Sequence, residues 1–340
     1  MKGKKTDYAH SVTRVRALER GLLDKGKIER MAEARDATEA IKILSETAYQ
    51  AQVSRISSPY EYEDILRSEI SAVRQLFWKI SPHPELTDLF FLKYDVLNLK
   101  ILIKGQYLQQ DVSDILVTSG TVAPDEMKAM VGEGKFKELP SEIAQAAEEA
   151  QAALKETADP QLVDTTLDKA YYAYLSRFLS EHKQSFLQDF VALQADLTNI
   201  KSFIRVRHVA EDDGLRAREL LGKVFIPGGK LKLDFFLAEL DESLTAFADR
   251  FSRDPWGYVV ADGVAAWEQE GSLTMYEKLA DNFLLSYMKE TSLIAFGPEP
   301  LVAYLWAKEN EAKLIRIVMV GKINGLPADD IKERLRDVYA

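Results

Sequence analysis

An all-α chain is what this 340-residue sequence predicts. Three observations carry the prediction. Apolar residues recur at three- and four-residue spacing through most long segments, and sustained alternation of period two is not seen. Capping and stop signals also bracket the periodic runs.

The elements follow in chain order. "SVTRVRALERGLLDKGKIERM" places Val12, Val15, Leu18, Leu22 and Leu23 on one stripe behind a Ser11 cap. "DATEAIKILSETAYQAQV" repeats the pattern with Asp36 as cap and Glu39 three residues later, a capping box. "SEIAQAAEEAQAALKETADP" is rich in alanine and glutamate and stops before Pro160, so composition predicts a mostly exposed helix. The long run from Leu167 to Val209 and the segment "MYEKLADNFLLSYM" keep the same period. Breaks are expected at "SPHPEL", "TSGTVAPDE", "FIPGGKLK", "RDPWG" and "FGPEP". In "AYYAYLSRF", Tyr171, Tyr174 and Phe178 lie at helical spacing and read as core or interface rather than a stacking site. "SFIRVRH" reads as a helix end entering the acidic loop "EDD".

Composition narrows the function classes. The chain is 46% hydrophobic and 29% charged, a globular balance, and its length suggests two domains or three small ones. There are no cysteines, so neither disulfides nor thiol chemistry are available. His10, His83, His182 and His208 are scattered without metal-ligand spacing, so no metal site is expected. A formal net charge of -10 argues against general nucleic-acid binding. That charge is uneven: residues 1 to 30 hold nine Lys/Arg against four Asp/Glu, and residues 121 to 170 hold five against eleven. Solvated helix faces explain both, and docking of the two ends to partners of opposite charge is the sharper reading. No apolar run reaches the ~20 residues a bilayer span needs, and the start "MKGKKTDYAH" lacks the apolar core of a secretory signal. A cytoplasmic protein is expected.

The stretch "VMVGKING" raises the question of a phosphate-cradling loop. Such a loop needs a glycine five positions before Gly321 and Ser or Thr after Lys322, and the sequence has Arg316 and Ile323 there. No nucleotide cofactor is expected. Internal repetition explains the stretch better. "DVLNLKILI" from Asp95, "DLTNIKSFI" from Asp196 and "EAKLIRIVM" from Glu311 share one pattern: an acid, then Asn or Leu, an apolar residue and a cation, then two apolar positions. The starts lie 196 − 95 = 101 and 311 − 196 = 115 residues apart. A weaker marker precedes each copy, at Gly26-Lys27-Ile28, Gly120-Thr121-Val122 and Gly229-Lys230-Leu231. Three helical repeat units are therefore expected, at residues 1–118, 119–227 and 228–340. "VMVGK" continues the third copy, and Gly321 reads as a residue near a helix end.

The repeated polar residues need a physical account, because an unpaired buried carboxylate is costly. Asp95 and Asn98 share a helix face, as do Asp196 and Asn199, while Lys100, Lys201 and Arg316 sit about 140° further round. Leu314 replaces the asparagine in the third copy. Each acid and each cation is expected to meet a neighbouring helix in a polar network that fixes register. Catalytic use would require these carboxylates to converge on one site between lobes.

"DYAHSVTRVRALERGLLDKGKIERM", "DLTNIKSFIRVR" and "GPEPLVAYLWAKENEAKLIRIVMVGKINGL" resemble the C subunit of the archaeal and bacterial V/A-type rotary ATPases, whose eukaryotic counterpart is the d subunit of the V-ATPase. The resemblance runs end to end. Its most specific part holds Gly297, Pro298, Glu299, Pro300, Glu309, Asn310, Gly321 and Lys322 in order, and Leu314 departs from the polar residue expected at its position. The resemblance implies three similar all-helical lobes in a pseudo-threefold funnel and a non-catalytic central-stalk protein. Such a protein sits on the rotor ring at the inner face of the cell membrane and holds the foot of the central shaft. Its partners would be proteolipid ring subunits, shaft subunits and the cytoplasmic part of the stator membrane subunit, with one copy in a hetero-oligomer. The alternatives are a peripheral membrane scaffold using the basic N-terminus, or a helical enzyme with an inter-lobe carboxylate site.

Overall fold

The computed structural model describes residues 5–210 and 213–340. The extreme N-terminal basic residues and two of the three acids of "EDD", Glu211 and Asp212, lie outside the described residues. The fold is all-α: among the described residues the elements are α-helices joined by short turns and a few 3-10 segments, with no strand. Two compact units are distinguished, one comprising Met1–Phe90 with Glu277–Ala340 and the other Phe91–Tyr276.

Three long helices carry the repeated acids: Pro84–Leu108, Ser185–Ala210 and Glu299–Ile323. They differ from surface helices in being apolar nearly all round. Seventeen residues of Glu299–Ile323 are buried, including Glu299, Lys308, Asn310 and Glu311, which marks it as a central helix rather than a cover. In the first unit, the helices Lys25–Glu33 and Ala37–Leu44 pack Ile28, Met31, Ile41 and Leu44 against Leu314, Ile315, Val318 and Met319 of that helix. In the second unit, Phe203 meets Phe247 at 4.3 Å between ring centres, and Phe236 and Phe251 complete the aromatic cluster around them.

Several local expectations are refined. The stripe from Val12 to Leu23 is not one helix: Ala9–Glu19 ends in a turn and a new helix starts at Lys25, capped by the Asp24 carboxylate on the Lys27 N–H at 2.8 Å. Ser11 is not a cap either. It lies inside the first helix and its hydroxyl donates to the Ile80 carbonyl. Asp36 does cap, accepting the Glu39 N–H at 2.9 Å, while Glu39 reaches back to the Arg35 N–H at 2.7 Å. The helix Ser141–Thr157 is exposed on one face only. Ile143, Ala146, Ala147, Ala150 and Leu154 are buried, and the small alanines let the helix Pro160–Glu181 approach closely. Tyr171 is core, whereas Tyr174 and Phe178 are half-buried, with Phe178 stacked on His182 at 4.0 Å.

Candidate functional site

The repeated acids are the best-defined polar feature of the chain, and each does the same thing. Asp95 accepts the N–H groups of Thr121 at 2.8 Å and Val122 at 3.0 Å, plus the Thr121 hydroxyl at 2.7 Å. Asp196 accepts the N–H groups of Lys230 and Leu231, both at 3.0 Å. Glu311 accepts the Leu23 N–H on Oε1, and on Oε2 the Tyr49 hydroxyl and the Lys308 ammonium, each at 2.7 Å. Each apolar donor, Val122, Leu231 or Leu23, is the residue just before the N-cap of a following helix, Pro124–Glu133, Leu233–Ala238 or Lys25–Glu33. The caps Ala123 and Lys232 offer no side-chain acceptor, so negative charge reaches these two helix starts from the long helix instead.

The carboxylates therefore meet loop backbone, not neighbouring helices as the sequence suggested. The cations do meet helices. Lys100 binds Asp168 of Pro160–Glu181 at 2.6 Å, and Arg316 grips Glu63 of Tyr62–Ile80 through Nε at 2.6 Å and a second nitrogen at 2.9 Å. That grip holds the Glu63 carboxyl below its ordinary value. Lys201 is half-buried at the same register.

The asparagines complete the first two joints. Asn98 donates to the Val117 carbonyl at 2.8 Å and accepts the Val117 N–H at 2.9 Å; Asn199 does both with Ile226 at 2.8 Å. Leu314 has a clear reason. Counting back from the donor N–H, Val117 and Ile226 correspond to Leu18, which lies inside the helix Ala9–Glu19 with its backbone already bonded, so an amide at 314 would have no partner there.

Glycine is required where the loop passes under the carboxylate. A Cβ on Gly120 would lie 2.2 Å from Asp95 Oδ1, and one on Gly229 2.1 Å from Asp196 Oδ1. By count the corresponding position in the third joint is Gly21, not Gly26, but a Cβ there would meet the Leu18 carbonyl oxygen at 3.4 Å and Ala48 Cβ at 3.5 Å, so that loop does not demand glycine. Each glycine loop thus pairs with the acid before it, and the last acid returns to the first loop. Taking each marker with the acid that follows it in the chain could not show this, because the loop bonds the acid that precedes it. Gly21 and Gly26 have the spacing of a phosphate loop, yet Ile28 follows Lys27 where Ser or Thr should stand, and the Leu23 N–H between the glycines is already given to Glu311.

Both oxygens of every repeated acid are occupied by these donors. Burial pushes the Asp196 carboxyl up, against the pull of its two N–H bonds. Among the described residues no group of three or more His, Asp or Glu could hold a metal ion, and no helix is long and apolar enough to cross a membrane.

The C-terminal motif is structural in the same sense. Gly297 has φ +125 and sits against Glu299, where a Cβ would lie 2.1 Å from a carboxylate oxygen. Pro298 is the N-cap of the last long helix, with Glu299 and Pro300 buried in its first turn. Glu309 is half-buried, and Asn310 donates to the Asp337 carbonyl at 2.8 Å. Gly321 is not a C-cap. It lies within the last turn, where a Cβ would stand 2.6 Å from Ile331 Cγ1, and half-buried Lys322 follows it. The stop is made by Gly325 at φ +68: its N–H bonds the Lys322 carbonyl, and the Leu326 N–H bonds that of Gly321 at 2.9 Å.

Residues 11–334 match the family described as ATP synthase (C/AC39) subunit. The chain belongs to that family. Its relatives within the family include the C subunit of the V-type sodium ATPase of Enterococcus hirae, 25% identical over 96% of this chain and 97% of the relative. The C subunits of the A-type ATP synthases of Methanocaldococcus jannaschii and Thermococcus gammatolerans are 24% and 28% identical, over 96% and 99% of this chain and 86% and 92% of theirs. The matched residues include all three joints.

Proposed function

We propose that this chain is the non-catalytic central-stalk adaptor of a V/A-type rotary ATPase or ATP synthase. In this reading it is seated on the membrane rotor ring, holds the foot of the central shaft, and transmits torque between ATP chemistry and ion movement. Family membership over residues 11–334 supports the reading, as do the relatives named as C subunits of such complexes. The observation that carries it is the joint repeated at Asp95, Asp196 and Glu311, a pattern suited to three lobes, 1–118, 119–227 and 228–340, around a pseudo-threefold axis. Close-packed helices pinned at buried carboxylates deform little under load, which is the property a torque adaptor needs. Catalysis is left to other subunits, because each repeated carboxylate is committed to its own loop. Ring subunits, shaft subunits and the cytoplasmic part of the stator membrane subunit are the proposed partners, at the inner face of the membrane.

The test is co-elution of the purified chain on size exclusion with detergent-solubilised rotor ring and, separately, with the shaft subunits. A complex with each, at one copy, is expected. A folded chain that binds neither at micromolar concentration overturns the adaptor role.

A further inference from the structure

The third joint differs in chemistry from the other two, and the difference lies in what it holds. Asp95 and Asp196 pin loops that follow their own helix by 122 − 95 = 27 and 231 − 196 = 35 residues, so the chain keeps those elements close even when the bonds break. Glu311 instead reaches residues near the start of the chain, 288 and 262 positions away. Its two contacts lie at the two roots of one element. Leu23 stands just before the cap of the helix pair Lys25–Glu33 and Ala37–Leu44, and Tyr49 ends the short turn that follows it. Beyond each root the chain turns: at Gly21 on one side and through the Ser- and Pro-containing stretch 54–59 on the other.

We propose that residues 24–53 form a helical flap on the Glu299–Ile323 helix, and that the Glu311 carboxylate is the pin that bonds both of its roots. The surroundings fit a pin. Glu311, Lys308 and Tyr49 are all buried, and the Lys308 ammonium lies 4.2 Å from the centre of the Tyr49 ring and 2.9 Å from Glu69. Glu69 in turn accepts from Gln52, inside the second root, at 2.6 Å. Burial alone would lower the lysine's affinity for its proton, but Glu311 and Glu69 raise it above the ordinary value, so the Lys308 ammonium stays charged. The rest of the flap's hold is apolar and non-directional, through Ile28, Met31, Ile41 and Leu44, with an exposed ion pair between Glu33 and Lys332 at 2.6 Å. Releasing that carboxylate loosens both roots together, leaving the Gln52–Glu69 bond and the apolar contacts, so the flap opens as a unit more often while the long helix stays in place. The inference concerns only the first compact unit and is independent of the adaptor reading.

Hydrogen exchange read by mass spectrometry on the full chain tests it. Glu311→Gln keeps the shape but replaces one acceptor oxygen with an N–H₂ group, so the remaining oxygen cannot hold both roots. Amides of residues 26–49 should exchange about a hundredfold faster, in line with the cost of breaking a buried charged contact, while those of 187–206 keep their wild-type rates. Tyr49→Phe frees one root and should give about tenfold. The double variant Glu311→Gln with Lys308→Met removes the ammonium that Glu311→Gln leaves with Glu69 as its one carboxylate, and should recover part of the effect only. Full recovery overturns the pin, because the acceleration would then come from that ammonium. An equal acceleration in 26–49 and 187–206 also overturns it, as does none in 26–49.

Discussion

Adding one methyl group to Gly229 tests the joint directly. The new Cβ would stand 2.1 Å from Asp196 Oδ1 and 3.0 Å from its Cγ, where ordinary contact begins near 3.4 Å. Relief requires the carboxylate or the loop to move by more than about 1 Å, and both N–H bonds, at 3.0 Å, lie along that path. Each is worth about 1–3 kcal/mol once its donor is stranded, so Gly229→Ala should cost about 3–5 kcal/mol. Asp196→Ala strands the same donors and should cost about 2–4 kcal/mol on the same count. Together the two changes should cost far less than their sum, because the methyl group enters the space the carboxylate left. Urea unfolding followed by far-UV circular dichroism measures all three variants, with the slope checked for constancy. A coupling of about 2–3 kcal/mol is expected; additivity within about 0.5 kcal/mol would refute the reasoning. Gly120 and Asp95, with a Cβ to oxygen distance of 2.2 Å, should behave alike.

Other substitutions probe the neighbouring contacts. Leu314→Asn buries an amide without a partner and should cost about 2–3 kcal/mol, whereas Asn199→Leu strands the Ile226 backbone and should cost at least as much by the same urea assay. Gly321→Ala forces a Cβ to 2.6 Å from Ile331 Cγ1; because that side chain can rotate, about 1–2 kcal/mol is expected. Arg316→Gln should cost no more than about 1 kcal/mol at pH 7, since the pair is partly exposed. The Glu63 carboxyl is held below its ordinary value of 4.5 in the folded state, so its contribution is present above that pH and lost as the pH falls through the lower folded value. The penalty of Arg316→Gln should therefore shrink in acid, and a penalty unchanged between pH 7 and pH 3 would contradict the pairing.

The all-α class and the three acid-bearing helices were legible in the sequence, because a 3.6-residue period and a repeated word are local properties, and the family was legible from the resemblance of its segments. The acid-to-cation offset also placed Lys100 and Arg316 on a different face from Asp95 and Glu311, which follows from helix geometry alone. What each group touches was decided only by tertiary structure. Asp95 and Asp196 take N–H groups from loops more than twenty residues away, and Glu311 takes one from the beginning of the chain. No local pattern encodes such a pairing, because the donor is a backbone N–H that every residue except proline carries. The glycines carried the available signal, but reading Gly21 rather than Gly26 requires knowing that the last acid closes on the first loop. Gly321 teaches the same lesson. Its place near a helix end was legible, but its smallness serves the close approach of Ile331, a contact that exists only once the chain has folded back on itself.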